Sequence, residues 1–199
     1  MIRTLLLLCC LLGSTLPVLA EEADHAIHEE LRGVLKTVET AINTGDFDKM
    51  LPVLSEQVRA TPVNQEFLSG RPAVSAYFKK WFGQGGYLKK LEMQLSADEL
   101  TELSADRSWG LVRGNGVEKY ILADGRPYEL HTRWTATVAK EADGQWRIRG
   151  IHIGTNFLDN PILTEAEHAL GKATGLGALG GLLLGLGSGW LLFRRKQKV

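Results

Sequence analysis

The sequence predicts an α+β domain, helices first and an antiparallel sheet after, followed by one membrane-crossing helix. Three observations carry this. Apolar residues recur every three or four positions between residues 26 and 82, every second position between residues 91 and 152, and residues 173–193 contain no charge at all.

The N-terminus has the order of a secretory leader. Arg3 precedes an apolar run at residues 5–12, and Val18, Leu19 and Ala20 end in the small residue a signal peptidase favours. Gly13 and Pro17 interrupt a stretch already short for a span, so residues 1–20 are expected to be cleaved. Cys9 and Cys10, the only cysteines, lie within it. The mature chain then has no disulfide and no Cys-based metal site, and its fold rests on core packing.

From residue 26 to 42, Ile27, Leu31, Val34, Leu35, Val38, Ala41 and Ile42 mark one face of an amphipathic helix. Gly45 suits its left-handed stop, and Asp46 caps a second, short helix carrying Phe47, Met50, Leu51 and Leu54. A third helix starts at Arg71-Pro72, where proline loses nothing by lacking an N–H, and ends at Gly83.

The period then changes to two. Leu91, Met93 and Leu95 alternate with polar residues in a strand that is expected to continue to Leu103. A strand over about 109–122 leads through Asp124-Gly125 into one whose Tyr128, Leu130, Thr132, Trp134, Ala136 and Val138 share a face. Asp143-Gly144 makes a second hairpin into Trp146, Ile148, Gly150 and His152. Tight turns of this kind join antiparallel neighbours, so the sheet is an antiparallel meander with one wet face.

Pro161 follows the last strand, and Thr164 with Glu167 reads as a capping box for a helix over 161–172 that runs into the span. At about 1.5 Å per residue, the uncharged stretch 173–193 matches a hydrocarbon core of about 30 Å. Arg194, Arg195, Lys196 and Lys198 follow it at once, which places the 194–199 tail in the cytoplasm and the domain (21–160) outside. The expected location is the bacterial inner (plasma) membrane, single-pass, with the domain periplasmic. Gly177, Gly181, Gly185 and Gly189 form a ridge where a second copy of the helix can approach, unless they are simply glycines that membrane helices tolerate.

Formal charge balances at 23 basic and 23 acidic residues. Without Arg3 and the four basic residues of the tail, the remainder holds 18 against 23, a net charge of about −5. That excludes the basic surface nucleic acid needs.

The run Ala41, Ile42, Asn43, Thr44, Gly45, Asp46, then Ser69, Gly70, Arg71, Pro72, Ala73, Val74, then Asp143, Gly144, Gln145, Trp146, Arg147, Ile148 ahead of His152, resembles the nuclear-transport-factor-two-like superfamily. Within it the similarity is to SnoaL-like and ketosteroid-isomerase-like domains and covers residues 22–157. The resemblance implies a cone-shaped fold with a pocket between sheet and helices, and frequently a homodimer. It implies isomerases and cyclases, but also members without catalysis, so fold does not give function.

Ketosteroid isomerases carry their base in an Asp-Pro-Val segment that here reads Thr61-Pro62-Val63, and a threonine hydroxyl is no base near neutral pH. Thr61 and Asn64, with Glu66 beyond, are candidate polar pocket groups or a solvent-facing loop. His152 is assigned to the interior face, as an acid–base residue or a structural histidine at the pocket mouth. Tyr77, Trp81 and Trp134 are candidate walls of an apolar pocket, or ordinary core. His25 and His28 lack a third ligand, and no metal or cofactor is expected. His131, Arg133, Arg147 and Arg149 are expected on an exposed polar face. The functional expectation is a membrane-anchored domain that binds a small apolar or amphipathic ligand, or dimerises; an isomerase or cyclase using His152 is the alternative.

Overall fold

The computed structural model describes residues 15–196, with side chains for residues 24–190 and 193. Most of the expected leader (1–20) and the end of the basic tail lie outside that range. The chain divides into two compact units, residues 1–155 and 156–199.

In the first unit, helix α1 spans Thr15–Thr44 and contains the amphipathic stretch read from the sequence. Val34, Ala41 and Ile42 are buried in the core, with Ile27, Leu31 and Val38 packed against it. Each aliphatic side chain so removed from water contributes about 1.5–3 kcal/mol. Gly45 ends the helix with φ +72°. Asn43 then ties it to the sheet: its side-chain amide donates to the Met93 carbonyl at 2.8 Å, and its carbonyl oxygen accepts the Met93 N–H at 2.7 Å.

The expected second helix is a 3-10 turn, Phe47–Val53, and Leu54 opens strand β1, Leu54–Thr61. Pro52 lies inside the turn and has no N–H to extend it. Strand β1 was hidden in the sequence because Ser55, Glu56 and Gln57 break the alternation between Leu54 and Val58. The structure carries a register irregularity between Leu54 and Arg59. After β2, Leu68–Ser69, helix α2 covers Arg71–Phe82 as expected. Gly70, at φ +81°, lets the chain turn into it, and Arg71 Nε donates to the Leu54 carbonyl at 2.8 Å.

Strands β3 (Leu88–Ala97), β5 (Trp109–Leu122), β6 (Pro127–Lys140) and β7 (Trp146–Thr155) form the meander. Leu103 belongs not to β3 but to β4, Glu102–Leu103, a separate strand paired with β5. The sheet order is β2-β1-β7-β6-β5-β3, and β1 runs parallel to β7, so the sheet is mixed at that side rather than wholly antiparallel. This is an α+β fold with helices packed on one face of a curved sheet.

The second unit holds helix α3, Pro161–Lys196, 36 residues without interruption through the expected juxtamembrane and spanning segments. Its start differs from the capping box. The Asn160 side-chain oxygen accepts the N–H groups of Ile162 (3.1 Å) and Leu163 (3.0 Å), so Asn160 is the N-cap and Pro161 the first helical residue. Thr164 sits one turn in and donates back to the Asn160 carbonyl. Residues 161–190 are long and apolar enough to cross a membrane.

Candidate functional site

Two apolar cavities lie between α1, α2 and the sheet. The first, about 150 Å³, is walled chiefly by Leu31, Val34 and Leu35 of α1 and by Trp134, Ala136 and Val138 of β6; His28, Arg32, Glu99 and Thr101 add polar side chains. The second, about 100 Å³, lies toward α2 and is lined by Val58, Val74, Tyr77, Phe78, Leu91, Glu118 and Tyr120 among others. Val38, Ile42, Met93, Ile148, Ile151 and Ile153 line both, so side chains form the wall between them. An apolar cavity of about 150 Å³ holds a benzene-sized molecule.

Trp134 lines the first cavity and is 5 % exposed. Its ring lies against β5, where a Cβ on Gly114 would stand 2.1 Å from Trp134 Cζ2. Only glycine admits the indole there, and Trp134 Nε1 donates to the Asn115 carbonyl at 3.0 Å. Gly116, one inward position along, faces Thr132 in the same way.

The polar centre of the second cavity was not singled out from the sequence. Glu118 is 2 % exposed. Its carboxyl accepts the Tyr120 hydroxyl, and the Thr132 hydroxyl lies 2.9 Å from its other oxygen. Burial holds the Glu118 carboxyl above the usual carboxylate range, against the two hydrogen bonds that favour its charge. Burial likewise pushes the Tyr120 and Tyr77 hydroxyls upward, and the nearby Glu118 charge adds to both. Tyr120 donates to one Glu118 oxygen and Thr132 Oγ1 to the other, and Thr132 Oγ1 also lies 3.3 Å from the Gly116 carbonyl oxygen. The signal in the sequence was a carboxylate in phase with Tyr120 and Leu122 on the same strand.

Tyr77 lines the second cavity, and its ring meets Phe78 edge-on at 5.3 Å. Trp81 does not line either cavity; its Nε1 donates to Glu66 at 2.9 Å, beside the Lys80–Glu66 ion pair. Asn64 is exposed and donates to the same carboxylate. In the Thr61-Pro62-Val63 segment it is Pro62 and Val63 that line the cavity, while Thr61 ends β1 beside His152.

His152 stands on the outer face rather than the interior one. The register between β6 and β7 shifts at Arg149, so Ile148 pairs with Val138, whereas Ile151 pairs with Ala136 and Ile153 with Trp134. One extra residue inverts the alternation, and His152 pairs with exposed Thr135. That outer face is charged: Arg133 pairs with Asp98, and His131 is exposed near Glu129. Arg147 departs from expectation, for it is only partly exposed and held by Asp143 and the Pro52 carbonyl. Among the described residues no three of His, Cys, Asp or Glu converge as metal ligands.

The model of the SnoaL-like domain family matches residues 32–155, and the chain belongs to that family. Among solved structures, a provisionally named scytalone dehydratase from Novosphingobium aromaticivorans superposes with a TM-score of 0.59 at 13% identity, over 69% of this chain and 89% of that one. A ketosteroid isomerase-like protein from Erwinia carotovora atroseptica gives 0.54 at 13%, over 64% and 95%. An uncharacterised Caulobacter vibrioides protein with a cystatin-like fold gives 0.53 at 18%, over 71% and 96%. At these identities the likeness is one of fold. A search of curated protein sequences finds no match.

Proposed function

We propose that this chain is a membrane-tethered SnoaL-like domain that holds a small apolar or amphipathic ligand inside its cone, without turnover. The observation that carries the reading is the pair of adjoining cavities, walled almost wholly by aliphatic and aromatic side chains. The alternative of an isomerase or cyclase using His152 loses support from the exposed position of that side chain, which faces neither cavity.

In this reading α3 is the tether, crossing the bacterial inner membrane once with the domain periplasmic and the basic tail cytoplasmic. Leu184 and Phe193 are 76 % and 74 % exposed, a surface that lipid tails cover and water does not. The ridge Gly177, Gly181, Gly185 and Gly189 has open space at every Cβ position, room for a second copy of the helix and a homodimer.

Filling the first cavity tests the ligand. Ala136→Leu adds bulk at a buried position that lines it. Benzene titrated into detergent-solubilised full chain is expected to perturb the Met93 methyl resonance, and the substitution is expected to abolish that response. An unchanged response in the filled variant refutes occupancy of the first cavity.

A further inference from the structure

We propose that a separate polar site lies in the cleft between the start of α1 and the β6–β7 hairpin, and that it binds an amide group, whose C=O accepts the Trp146 indole N–H and whose N–H donates to Glu141. This goes beyond the cone and stands independently of what the cone holds. Among the described residues two buried side-chain atoms lack a hydrogen-bond partner, Trp146 Nε1 and Glu141 Oε1. Both residues line this one cleft, of about 610 Å³, and Trp146, 2 % exposed, lines neither of the apolar cavities. A donor and an acceptor withdrawn from water without partners are each a standing cost, which a matching group removes.

The walls of the cleft are tied to one another. Lys140 and Trp146 face each other across the hairpin, and the Glu141 N–H donates to the Gln145 carbonyl at 2.9 Å. The Trp146 backbone N–H donates to Glu30 of α1 at 2.9 Å. The Lys140 N–H donates to the Ser108 carbonyl at 2.8 Å, bringing the turn after β4 to the hairpin, and Arg107 of that turn pairs with Asp24 of α1. Indole and carboxylate are thus fixed on the two sides of one turn. Lys140 is exposed, and a rotamer change of this long side chain opens the indole edge to the cleft. The lining then selects the group. Glu30, Asp106 and Glu141 stand against Lys140, because Arg107 is spent on Asp24, so an anion is repelled. A cation satisfies Glu141 but leaves the indole unpaired, since its nitrogen only donates. An amide is neutral and carries acceptor and donor on two atoms of one planar group.

Acetamide and N-methylacetamide are titrated into ¹⁵N-tryptophan-labelled full-length protein in detergent, following the indole N–H resonances. Acetamide is expected to move the Trp146 resonance downfield to saturation and to leave that of Trp134, already bonded to the Asn115 carbonyl, in place. Binding of both compounds supports a peptide bond as the natural group, and binding of acetamide alone supports a primary carboxamide. Methyl acetate lacks the donor, and propan-2-ol offers both roles from one oxygen. Each is expected to bind about tenfold more weakly than acetamide, and equal affinity for either overturns the amide site. Glu141→Ala is expected to weaken acetamide about tenfold, to the level of methyl acetate, and undiminished affinity overturns the proposal. Should that variant misfold, the amide–ester comparison on the unaltered protein decides. A saturable shift of Trp134 in place of Trp146 puts the amide in the cone and overturns the cleft site, as does the absence of any saturable shift. The Met93 response to benzene, read separately, bears on the cone alone.

Discussion

Inside the cone Val58, Leu91 and Trp146 are 0 %, 4 % and 2 % exposed, whereas along α3 Leu176, Leu184 and Phe193 are 73 %, 76 % and 74 % exposed. Both regions are apolar, yet only the first supplies its own apolar surroundings. In the domain, apolar side chains alternate with polar ones at the period of each element, so every helix and strand has a face to bury and a face to wet. Helix α3 is apolar all round between Lys172 and Arg194 and offers no face to water. The difference is that the domain's apolar side chains pack against the rest of the chain, whereas those of α3 face outward.

The sharpest way to break this comparison is to put charge on α3. Leu182→Arg with Leu186→Arg is expected to release full-length protein from the membrane fraction, because each arginine near the centre of a span costs about 2.5–3.5 kcal/mol. Retention in carbonate-washed membranes by the double variant overturns the tether. Next in size is an added methyl group on each side of the divide. Gly114→Ala places a Cβ 2.1 Å from the Trp134 ring and 2.3 Å from the Ser96 carbonyl oxygen, where Gly181→Ala meets nothing within 4 Å. The first is expected to cost about 3 kcal/mol, a drop of about 6–12 °C in Tm, and the second to leave the domain transition in place. Equal Tm values for the two variants contradict the close packing of Trp134 on β5.

A third prediction concerns the buried acid Glu118. The folded state binds the Glu118 proton more tightly than the unfolded state does, so stability falls as pH rises from the ordinary glutamate value of 4.5 toward the raised folded one. Below that window the contribution is complete, and above it the cost of a buried charge is complete. Glu118→Gln should flatten urea-denaturation stability between pH 4.5 and neutrality, and an unaltered slope argues that the carboxylate is charged in the fold. The smallest effect belongs to the outer face. His152→Ala should change stability by no more than about 0.5 kcal/mol and leave benzene occupancy of the cone unaltered. Loss of binding in that variant, read by the same Met93 methyl, would restore His152 to the site.

How much of this was legible in the sequence follows from how local each signal is. Helices α1 and α2, strands β5 to β7 and the hairpins at Asp124-Gly125 and Asp143-Gly144 are written in short-range periodicity and turn chemistry, and the structure places them there. Strand β1 was not legible, because its three consecutive polar residues break the alternation and pairing with β7 and β2 makes it a strand. Tyr77 and Trp134 were read as pocket walls and line the cavities. Trp81 and Asn64 instead share the Glu66 carboxylate away from them.

The amino-acid order by itself determined the fold class, the family and the long apolar helix near the C-terminus, since each is built from short-range patterns and motifs a few residues long. Tertiary structure decided which polar side chains meet the cavity. A single extra residue at Arg149 turns His152 outward and Ile151 and Ile153 inward, and pairing between β5 and β6 brings Glu118 to Thr132. The physical reason is that side-chain direction in a strand has a period of two residues, so one irregularity in register exchanges the two faces, and register is a property of strands in contact.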